Sequence, residues 1–285
     1  MQLAITGTTG HIGGQVARLL SDQGLPLILP LRNPSRAPRL PDSEPRPFSY
    51  GDFELALQGV DALFMVSAAE SPTREQEHLT LVRAAQAAGI QHLVYLSFAE
   101  ARPDSTFTLA RTHAATEEAI RRSTMKYTFV RDNFYSELIA RLADDEGVIC
   151  GPAEQGRVAC VAQRDVAQAV ANIMADIAAG GTQHQGRTYT LTGSQALSME
   201  DVARILTTCT GKPHRFHNET MTEAFASRRA AYPDTPDWEI EAWVSTYTAI
   251  AKGELAQVSQ DLPRLIGRAP LTFQQVVTEL ANSGA

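Results

Sequence analysis

Lysine is scarce in this chain. Of its 285 residues only three are lysines, namely Lys126, Lys212 and Lys252. Lysine and arginine together number 25 against 32 acidic residues, so the formal net charge is −7. A chain with this balance and no basic tail has no general attraction for phosphate backbones or anionic lipid surfaces. The composition therefore argues against a protein that binds nucleic acid or a membrane.

Cysteines and long apolar runs are also scarce. The three cysteines, Cys150, Cys160 and Cys209, form no C-x-x-C pair, which argues against a disulfide framework and against a metal site. The longest nearly apolar run, residues 60–69, is far shorter than the about 20 residues that a membrane-spanning helix needs. No signal-peptide pattern begins the chain. We therefore expect a cytoplasmic protein that is a monomer or a homodimer.

Short apolar runs alternate with helical patterns over most of the chain. The predicted strands cover residues 3–5, 27–31, 62–66, 92–96, 127–130 and 187–191. The predicted helices cover residues 12–20, 76–88, 111–122, 165–178 and 198–209. Strands with few polar alternations that alternate with helices are typical of a parallel sheet covered on both faces. The sequence therefore predicts an α/β protein with a Rossmann-type, doubly wound parallel sheet.

The regular alternation of strand and helix patterns ends near residue 193. Prolines and both tryptophans, Trp238 and Trp243, are scattered through the remainder of the chain. This change predicts a Rossmann domain over residues 1–192 and a small C-terminal α+β lobe over residues 193–285 that packs on it. The lobe is expected to close a substrate cleft at the carboxyl edge of the sheet. Its aromatic residues, Tyr247 among them, either wall an aromatic pocket or pack in the core.

A glycine-rich turn, Thr6-Gly7-Thr8-Thr9-Gly10-His11-Ile12-Gly13, lies between the first predicted strand and the first predicted helix. Gly7 permits a tight turn, Gly10 lets the backbone approach a pyrophosphate, and Gly13 lets the helix pack closely on the strand. The N-terminus of the helix presents free N–H groups and a partial positive charge to phosphates. The turn therefore predicts a dinucleotide site.

The end of the second predicted strand indicates which dinucleotide binds. Arg32 stands there, followed by Arg36 and Arg39, and no acidic residue lies between Arg32 and Asp42. A site for NAD usually has an acidic side chain at this point for the ribose 2′-hydroxyl, whereas NADP needs a cation for the 2′-phosphate. Guanidinium groups match the geometry of phosphate. The sequence therefore favours NADP(H) over NAD(H), with Arg32 as the principal contact.

Segments similar to those of one known superfamily are spread over nearly the whole chain. Besides the glycine turn they are Gly51-Asp52-Phe53, residues 57–67, residues 92–97, residues 127–131, residues 163–167 and residues 267–273. On these segments the chain resembles the atypical short-chain dehydrogenases. Within them it is most similar to the NmrA-like branch, which contains bacterial NADPH quinone oxidoreductases of the second type and triphenylmethane reductases.

The resemblance implies a set of cofactor contacts. The residues expected at the phosphates are Gly7, Thr8, Thr9, Gly10, His11, Ile12 and Arg32. The residues expected beside the adenine and along the middle of the cofactor are Asp52, Phe53, Val66, Ser67 and Ala68. The residues expected near the nicotinamide are Ser97, Phe98, His113, Asn133, Phe134 and Tyr135.

The chain departs from the larger superfamily at its catalytic Tyr-x-x-x-Lys motif. Alignment of Glu117 and Tyr127 with the family puts Leu109 at the tyrosine position and His113 at the lysine position. Leucine cannot donate a proton, so ordinary alcohol–ketone chemistry and sugar-nucleotide isomerisation are disfavoured. The NmrA-like reductases also lack the tyrosine. His113 is interpreted as a catalytic residue that binds the ribose or protonates the product, or else as a histidine that only packs on its helix.

Hydride transfer survives the loss of the acid when the acceptor is already electron-poor. General acid catalysis contributes about 10²–10⁴-fold, and a quinone or a cationic triarylmethane dye can dispense with much of that. Placement of the acceptor ring against the nicotinamide then supplies most of the effect. We therefore expect an NADPH-dependent reductase of a small aromatic acceptor. The alternative is a non-catalytic sensor that binds the dinucleotide and reports its redox state to a protein partner, as NmrA regulators do.

Overall fold

The computed structural model describes residues 1–49 and 52–283, so Gly51 of the family-like segments lies outside the described residues. The described strands are β1 (Leu3–Ile5), β2 (Leu27–Leu31), β3 (Ser43–Pro47), β4 (Ala62–Met65), β5 (His92–Phe98), β6 (Lys126–Asp132), β7 (Val148–Gly151), β8 (Arg187–Leu191) and β9 (Arg215–Asn218). Seven of these described strands form one parallel sheet in the order β3-β2-β1-β4-β5-β6-β8. The strand order reverses between β1 and β4, which places a ligand crevice at their carboxyl ends. The predicted doubly wound α/β fold is confirmed.

Helices cover both faces of the large sheet. One face carries α1 (His11–Ser21) and α6 (Gln163–Ala178), and the other carries α2 (Phe53–Ala56), α3 (Arg74–Ala87) and α4 (Ala110–Arg122). The strands β1, β2 and β4 are apolar along their length and buried throughout, because neither face of the sheet meets water there. The ends of the predicted helices and strands agree with the observed ends to within two residues.

The strands β3, β7 and β9 are not predicted by the sequence. β3 contains Pro45 and Pro47, yet it pairs in parallel with β2 at the edge of the sheet. An edge strand pairs on one side only, so a proline whose missing N–H faces outward is tolerated there. β7 and β9 are short and form a separate two-stranded parallel sheet.

Most of the remaining chain packs around β7 and β9, and residues 261–266 pack instead on α6 and β8. Its described helices are α5 (Ser136–Ile139), α7 (Met199–Thr210), α8 (Met221–Ala231), α9 (Asp237–Ala251), α10 (Asp261–Ile266) and α11 (Phe273–Ser283). The predicted start of α7 is confirmed, because the Ser198 hydroxyl accepts from the N–H of Asp201 and the Asp201 carboxylate accepts from the N–H of Ser198. β7 precedes residue 193 and pairs with β9, so this smaller α+β unit contains chain from both sides of the predicted boundary.

Three further properties concern the membrane, metals and thiols. None of the helices described here has the length and apolar character that crossing a bilayer requires. Residues 1–49 and 52–283 do not bring three His, Cys, Asp or Glu side chains together as a metal site would. Cys150, Cys160 and Cys209 are free thiols.

Candidate active site

The glycine-rich turn between β1 and α1 is tightly packed. Gly7 has a φ of +65°, which side chains rarely tolerate, and a β-carbon there would lie 2.9 Å from Cβ of Val66. A β-carbon on Gly13 would lie 2.5 Å from the carbonyl oxygen of Gly7. The N–H of Gly10 donates to that same carbonyl at 2.9 Å and closes the turn. Only glycine at positions 7 and 13 lets the helix approach the strand this closely.

The start of α1 fits a bound phosphate. Gly10 caps the helix without a side-chain hydrogen bond, and the first N–H groups of a helix have no partner within it. The hydroxyl oxygen of Thr8 is buried and has no hydrogen-bond partner among the described residues. A phosphate oxygen would satisfy both the helix N–H groups and this hydroxyl. The turn therefore fits the pyrophosphate of a dinucleotide.

A cavity of about 370 Å³ runs from this turn along the carboxyl ends of β1, β2 and β4. The predicted cofactor residues that line it are Gly7, Thr8, Thr9, Arg32, Phe53, Val66, Ser67 and Ala68. The predicted residues that do not line it are Gly10, His11, Ile12 and Asp52. Asp52 instead accepts hydrogen bonds from the N–H and hydroxyl of Ser49. Arg32 is exposed, so its guanidinium is accessible to a 2′-phosphate.

A second cavity, of about 300 Å³, continues from the first, and both are lined by Ser67, Ala68 and Ala69. The predicted nicotinamide residues that line it are Ser97, Phe98, His113, Asn133, Phe134 and Tyr135. Arg74 and Phe107, to which the sequence alone does not point, also line it. Asp132 lines it as well, within the segment 131–135 that the family resemblance implies beside the nicotinamide. The two cavities form one groove across the carboxyl edge of the sheet, and the predicted adenine and nicotinamide residues lie at its opposite ends.

Three phenylalanines wall the second cavity. The rings of Phe98, Phe107 and Phe134 are inclined to one another, and each pair of ring centroids lies 5.0 Å apart. Such a surface suits a flat apolar ring. Trp238 and Tyr247 of the C-terminal part line neither of the two cavities. The aromatic wall therefore comes from the ends of β5 and β6 and the turn before α4.

Both ring nitrogens of His113 have partners. A guanidinium only donates, so Arg74 donates to Nε2 at 2.9 Å, and the ring proton on Nδ1 is donated to the hydroxyl of Tyr95, also at 2.9 Å. Burial, followed by the charge of Arg74, lowers the pKa of His113 well below its usual range, so the ring is neutral. These contacts agree with a histidine that packs on its helix, and a catalytic role for it stays a prediction.

Arg74 and His78 hold the loop where the two cavities meet. Nε of Arg74 donates to the carbonyl of Ala68 at 3.1 Å, and the N–H of Ala68 donates to Nε2 of His78 at 2.8 Å. Nδ1 of His78 therefore carries its proton and donates to Thr116 on α4 at 2.9 Å. Burial lowers the pKa of His78 to about 3. The peptide of Ala68 is thus fixed on both sides by α3.

Ser97 belongs to an ion cluster centred on the buried carboxylate of Glu117. Its hydroxyl donates to Glu117 at 2.6 Å, and the same carboxylate accepts two hydrogen bonds from Arg131, at 2.8 and 2.6 Å. Arg121 donates to Glu117 as well, at 2.7 Å. The cluster ties α4 to β5 and β6 behind the second cavity. Since the Ser97 hydroxyl is occupied in this way, its predicted contact with the nicotinamide stays a prediction.

Asp132 and Tyr135 form a hydrogen-bonded pair in the wall of the second cavity. The Tyr135 hydroxyl donates to Oδ2 of Asp132 at 2.5 Å. Burial raises the pKa of Asp132 to about 7, although the hydrogen bond from Tyr135 opposes this. Burial and then the Asp132 charge raise the pKa of Tyr135 well above its usual range. A carboxyl that exchanges its proton near neutral pH therefore lies beside the predicted nicotinamide residues.

The fold, the glycine turn and the groove define a dinucleotide-binding protein of the Rossmann class. Residues 7–177 match the NAD(P)H-binding family, and the chain belongs to that family. It is 31% identical to quinone oxidoreductase 2 of Escherichia coli, in an alignment that covers 98% of this chain and 99% of that protein. A nicotinamide dinucleotide as the cofactor class is thereby confirmed.

Two solved structures are closely similar to this one. An NADPH-dependent quinone oxidoreductase from Escherichia coli, complexed with NADPH, superposes with a TM-score of 0.88 at 30% identity and covers 98% of this chain and 99% of that one. A triphenylmethane reductase from Citrobacter sp., complexed with NADP(H), has a TM-score of 0.83 at 29% identity and covers 99% and 100%. The predicted resemblance to this group of reductases is confirmed.

Proposed function

We propose that the protein is an NADPH-dependent reductase that transfers a hydride to an electron-poor aromatic acceptor, such as a quinone or a cationic dye. The observation that carries the proposal is the lining of the second cavity. Phenylalanine rings stand where a flat ring would pack, and Leu109 lines the cavity where the larger superfamily has a tyrosine. Such a wall suits an acceptor that is held by ring contacts and needs no proton before the hydride arrives.

NADPH supplies the hydride when it is bound, and the residues of the groove fit its parts. Thr8 and the N-terminus of α1 hold the pyrophosphate. Arg32 holds the 2′-phosphate and makes NADP(H) the preferred cofactor. Arg74 and His78 fix the Ala68 peptide beside the middle of the cofactor. The nicotinamide ring then lies in the second cavity, against the ends of β5 and β6.

The names of the relatives support the same acceptor class. The Escherichia coli relative is a quinone oxidoreductase, and the Citrobacter neighbour is a triphenylmethane reductase. Both acceptors implied by these names are conjugated ring systems that accept a hydride readily. The phenylalanine wall of this chain provides a surface for either.

The test is the consumption of NADPH, followed by the absorbance of the reduced nicotinamide, with a panel of quinones and cationic triarylmethane dyes. NADH is run in parallel. We expect turnover with NADPH and slower turnover with NADH. Tight cofactor binding, measured by fluorescence, without turnover of any acceptor would contradict the reductase and favour the redox sensor.

We further propose that the protein acts in the cytoplasm as a monomer or a homodimer, with a small aromatic molecule as its partner. The proposed location rests on the scarcity of cysteine, and the aromatic partner rests on the phenylalanine wall of the second cavity. The division into a dinucleotide domain over residues 1–192 and a substrate lobe over residues 193–285 is part of the same proposal, with β7 of the first segment pairing into the lobe.

A further inference from the structure

The environment of Asp132 is not explained by dinucleotide binding. Asp132 ends β6, in register with Phe98 of β5 and Leu191 of β8, and it lines the second cavity while only 4% exposed. None of the ion pairs in the described part of the chain includes it. A buried carboxyl without a paired cation lowers the stability of the fold, and such groups concentrate at functional sites.

The groups around Asp132 keep a proton available to it. The titratable and charged groups that act on it are Tyr135 from the turn into α5, Arg74 from α3 and Tyr95 from β5. Arg74 acts only through space, because its hydrogen bonds go to α4 and to the loop before α3. Oδ2 is engaged by the Tyr135 hydroxyl, and a carboxyl has a second oxygen that can carry the proton. Burial outweighs the tyrosine and the arginine, which leaves the carboxyl largely protonated below neutral pH.

We propose that Asp132 is the proton donor of the reaction, in place of the tyrosine that the chain lacks at position 109. This inference rests on the proposed reductase function. With a quinone, the hydride brings one hydrogen and two electrons to the acceptor, and one acceptor oxygen becomes an oxyanion. That oxyanion takes the proton of the Asp132 carboxyl, so a bond from oxygen to hydrogen forms on the product and one breaks on Asp132.

The carboxylate that remains regains a proton from water. One hydride and one proton convert a quinone to a hydroquinone, so atoms and electrons balance. Tyr135 is a positioning residue, because its hydroxyl holds the carboxylate oxygen and stabilises the ionised form after the transfer.

Reduction of a cationic triarylmethane dye distinguishes a proton donor at position 132 from a residue that only shapes the groove. The dye becomes neutral when it receives a hydride and needs no proton, whereas a quinone needs one. Loss of the proton donor therefore slows quinone reduction far more than dye reduction. A distorted groove slows both reactions together.

The test compares Asp132→Asn, which keeps the shape of the side chain and removes its acidic proton, with the wild type at saturating NADPH. A quinone dispenses with much of the about 10²–10⁴-fold contribution of a general acid, so we expect the ratio of the quinone kcat to the dye kcat to fall by about 10-fold. Asp176→Asn is the matched control, because Asp176 is a carboxylate on α6 that lines neither of the two cavities and pairs with His184. It should leave the ratio unchanged.

An unchanged ratio in Asp132→Asn would overturn the inference and leave the reductase function standing. No turnover of either acceptor by the wild type would overturn both.

Two further measurements give readouts that a purely structural role would not move. The quinone rate of the wild type should decline as pH rises through about 7, since the acid form of Asp132 is needed. Tyr135→Phe removes the hydrogen bond that favours the carboxylate, so this decline should move to higher pH.

In the protein without cofactor, the aspartate ¹³C-carboxyl signal that is missing from Asp132→Asn should titrate near pH 7. If Asp132→Asn does not fold, Tyr135→Phe decides. A decline that stays at the wild-type pH would then overturn the inference.

Discussion

Nε2 of His113 accepts a hydrogen bond from the guanidinium of Arg74 at 2.9 Å, and both side chains are buried. A protonated imidazole cannot accept at Nε2, so the bond requires the neutral ring. In the unfolded chain the same histidine is free to take up a proton below its ordinary pKa of about 6.5. The native state therefore excludes a proton that the unfolded state binds in acid.

This relationship predicts a loss of stability in acid. The folded-state pKa values of His113 and His78 are both lowered. The stabilisation of the fold by these two neutral rings is therefore complete above about pH 6.5 and is lost as the pH falls below it. The slope of the free energy of unfolding against pH approaches about 1.4 kcal/mol per pH unit for each histidine. Urea unfolding over a series of pH values measures it.

The matched variant is His113→Gln, whose amide oxygen can accept from Arg74 and does not titrate. In this variant the slope of the free energy of unfolding against pH should be smaller by the contribution of one histidine. A slope equal to that of the wild type would show that His113 is not the buried neutral group.

Asp132 predicts the opposite sign. Its folded-state pKa is raised to about 7, whereas the unfolded value is near the ordinary 3.8, so the native state keeps a proton that the unfolded state releases. Its presence therefore lowers stability progressively as the pH rises between these two values. Asp132→Asn should be more stable than the wild type, by a margin that grows from acid to neutral pH. Thermal melts of both proteins at matched pH values measure the margin, and a margin independent of pH would contradict the raised pKa.

The parts of the fold that follow from local patterns could be predicted, and so could the turn at the cofactor phosphates. The glycines directly follow the apolar strand at residues 3–5, and Arg32 directly follows β2. Each feature depends on adjacent residues, so both can be recognised without tertiary structure. Asp132 had a weaker signal, since it lies two residues past the predicted strand at residues 127–130 and strand ends carry ligands in open α/β sheets.

Other features depend on contacts between distant segments. Arg74 begins a helix and has no motif around it, yet it reaches His113 across a separation of 39 residues. β3 is hidden by its prolines, because only its place at the sheet edge makes them acceptable. The histidine at position 113 was identified as part of the site, but its bonding to Arg74 and Tyr95, which makes it neutral, could not be inferred from its spacing alone.

Arg32 should decide the choice between the two dinucleotides. It is exposed and lines the first cavity, and a charge-assisted hydrogen bond to phosphate contributes about 1.5–3 kcal/mol. Arg32→Ala should therefore weaken NADPH binding by about 10–100-fold and leave NADH binding nearly unchanged. Fluorescence titration with both cofactors measures this, with Arg39→Ala as the control. Equal weakening of both cofactors would contradict a contact with the 2′-phosphate.

Phe107 tests the aromatic wall separately from the cofactor. Its ring packs against both Phe98 and Phe134, and it lines only the second of the two cavities. Phe107→Leu keeps an apolar side chain and removes the ring, so the KM for an aromatic acceptor should rise several-fold, by the about 0.5–1.5 kcal/mol of a ring contact. The dissociation constant of NADPH should stay at its wild-type value. A change confined to NADPH binding would place the acceptor elsewhere.

The glycine turn allows packing and ligand approach to be separated. A β-carbon at Gly13 would lie 2.5 Å from the carbonyl oxygen of Gly7 and 2.6 Å from that of Thr6, and neither backbone atom can move without opening the turn. Gly13→Ala should therefore lose about 1–3 kcal/mol of stability, together with cofactor binding.

A β-carbon at Gly10 would lie 3.4 Å from its nearest atom, so Gly10→Ala should fold with nearly the wild-type Tm. Because its methyl group would stand where the backbone approaches the pyrophosphate, Gly10→Ala should still bind NADPH more weakly. Thermal melts with and without NADPH measure both effects, and equal losses of Tm without cofactor would contradict the packing difference between the two glycines.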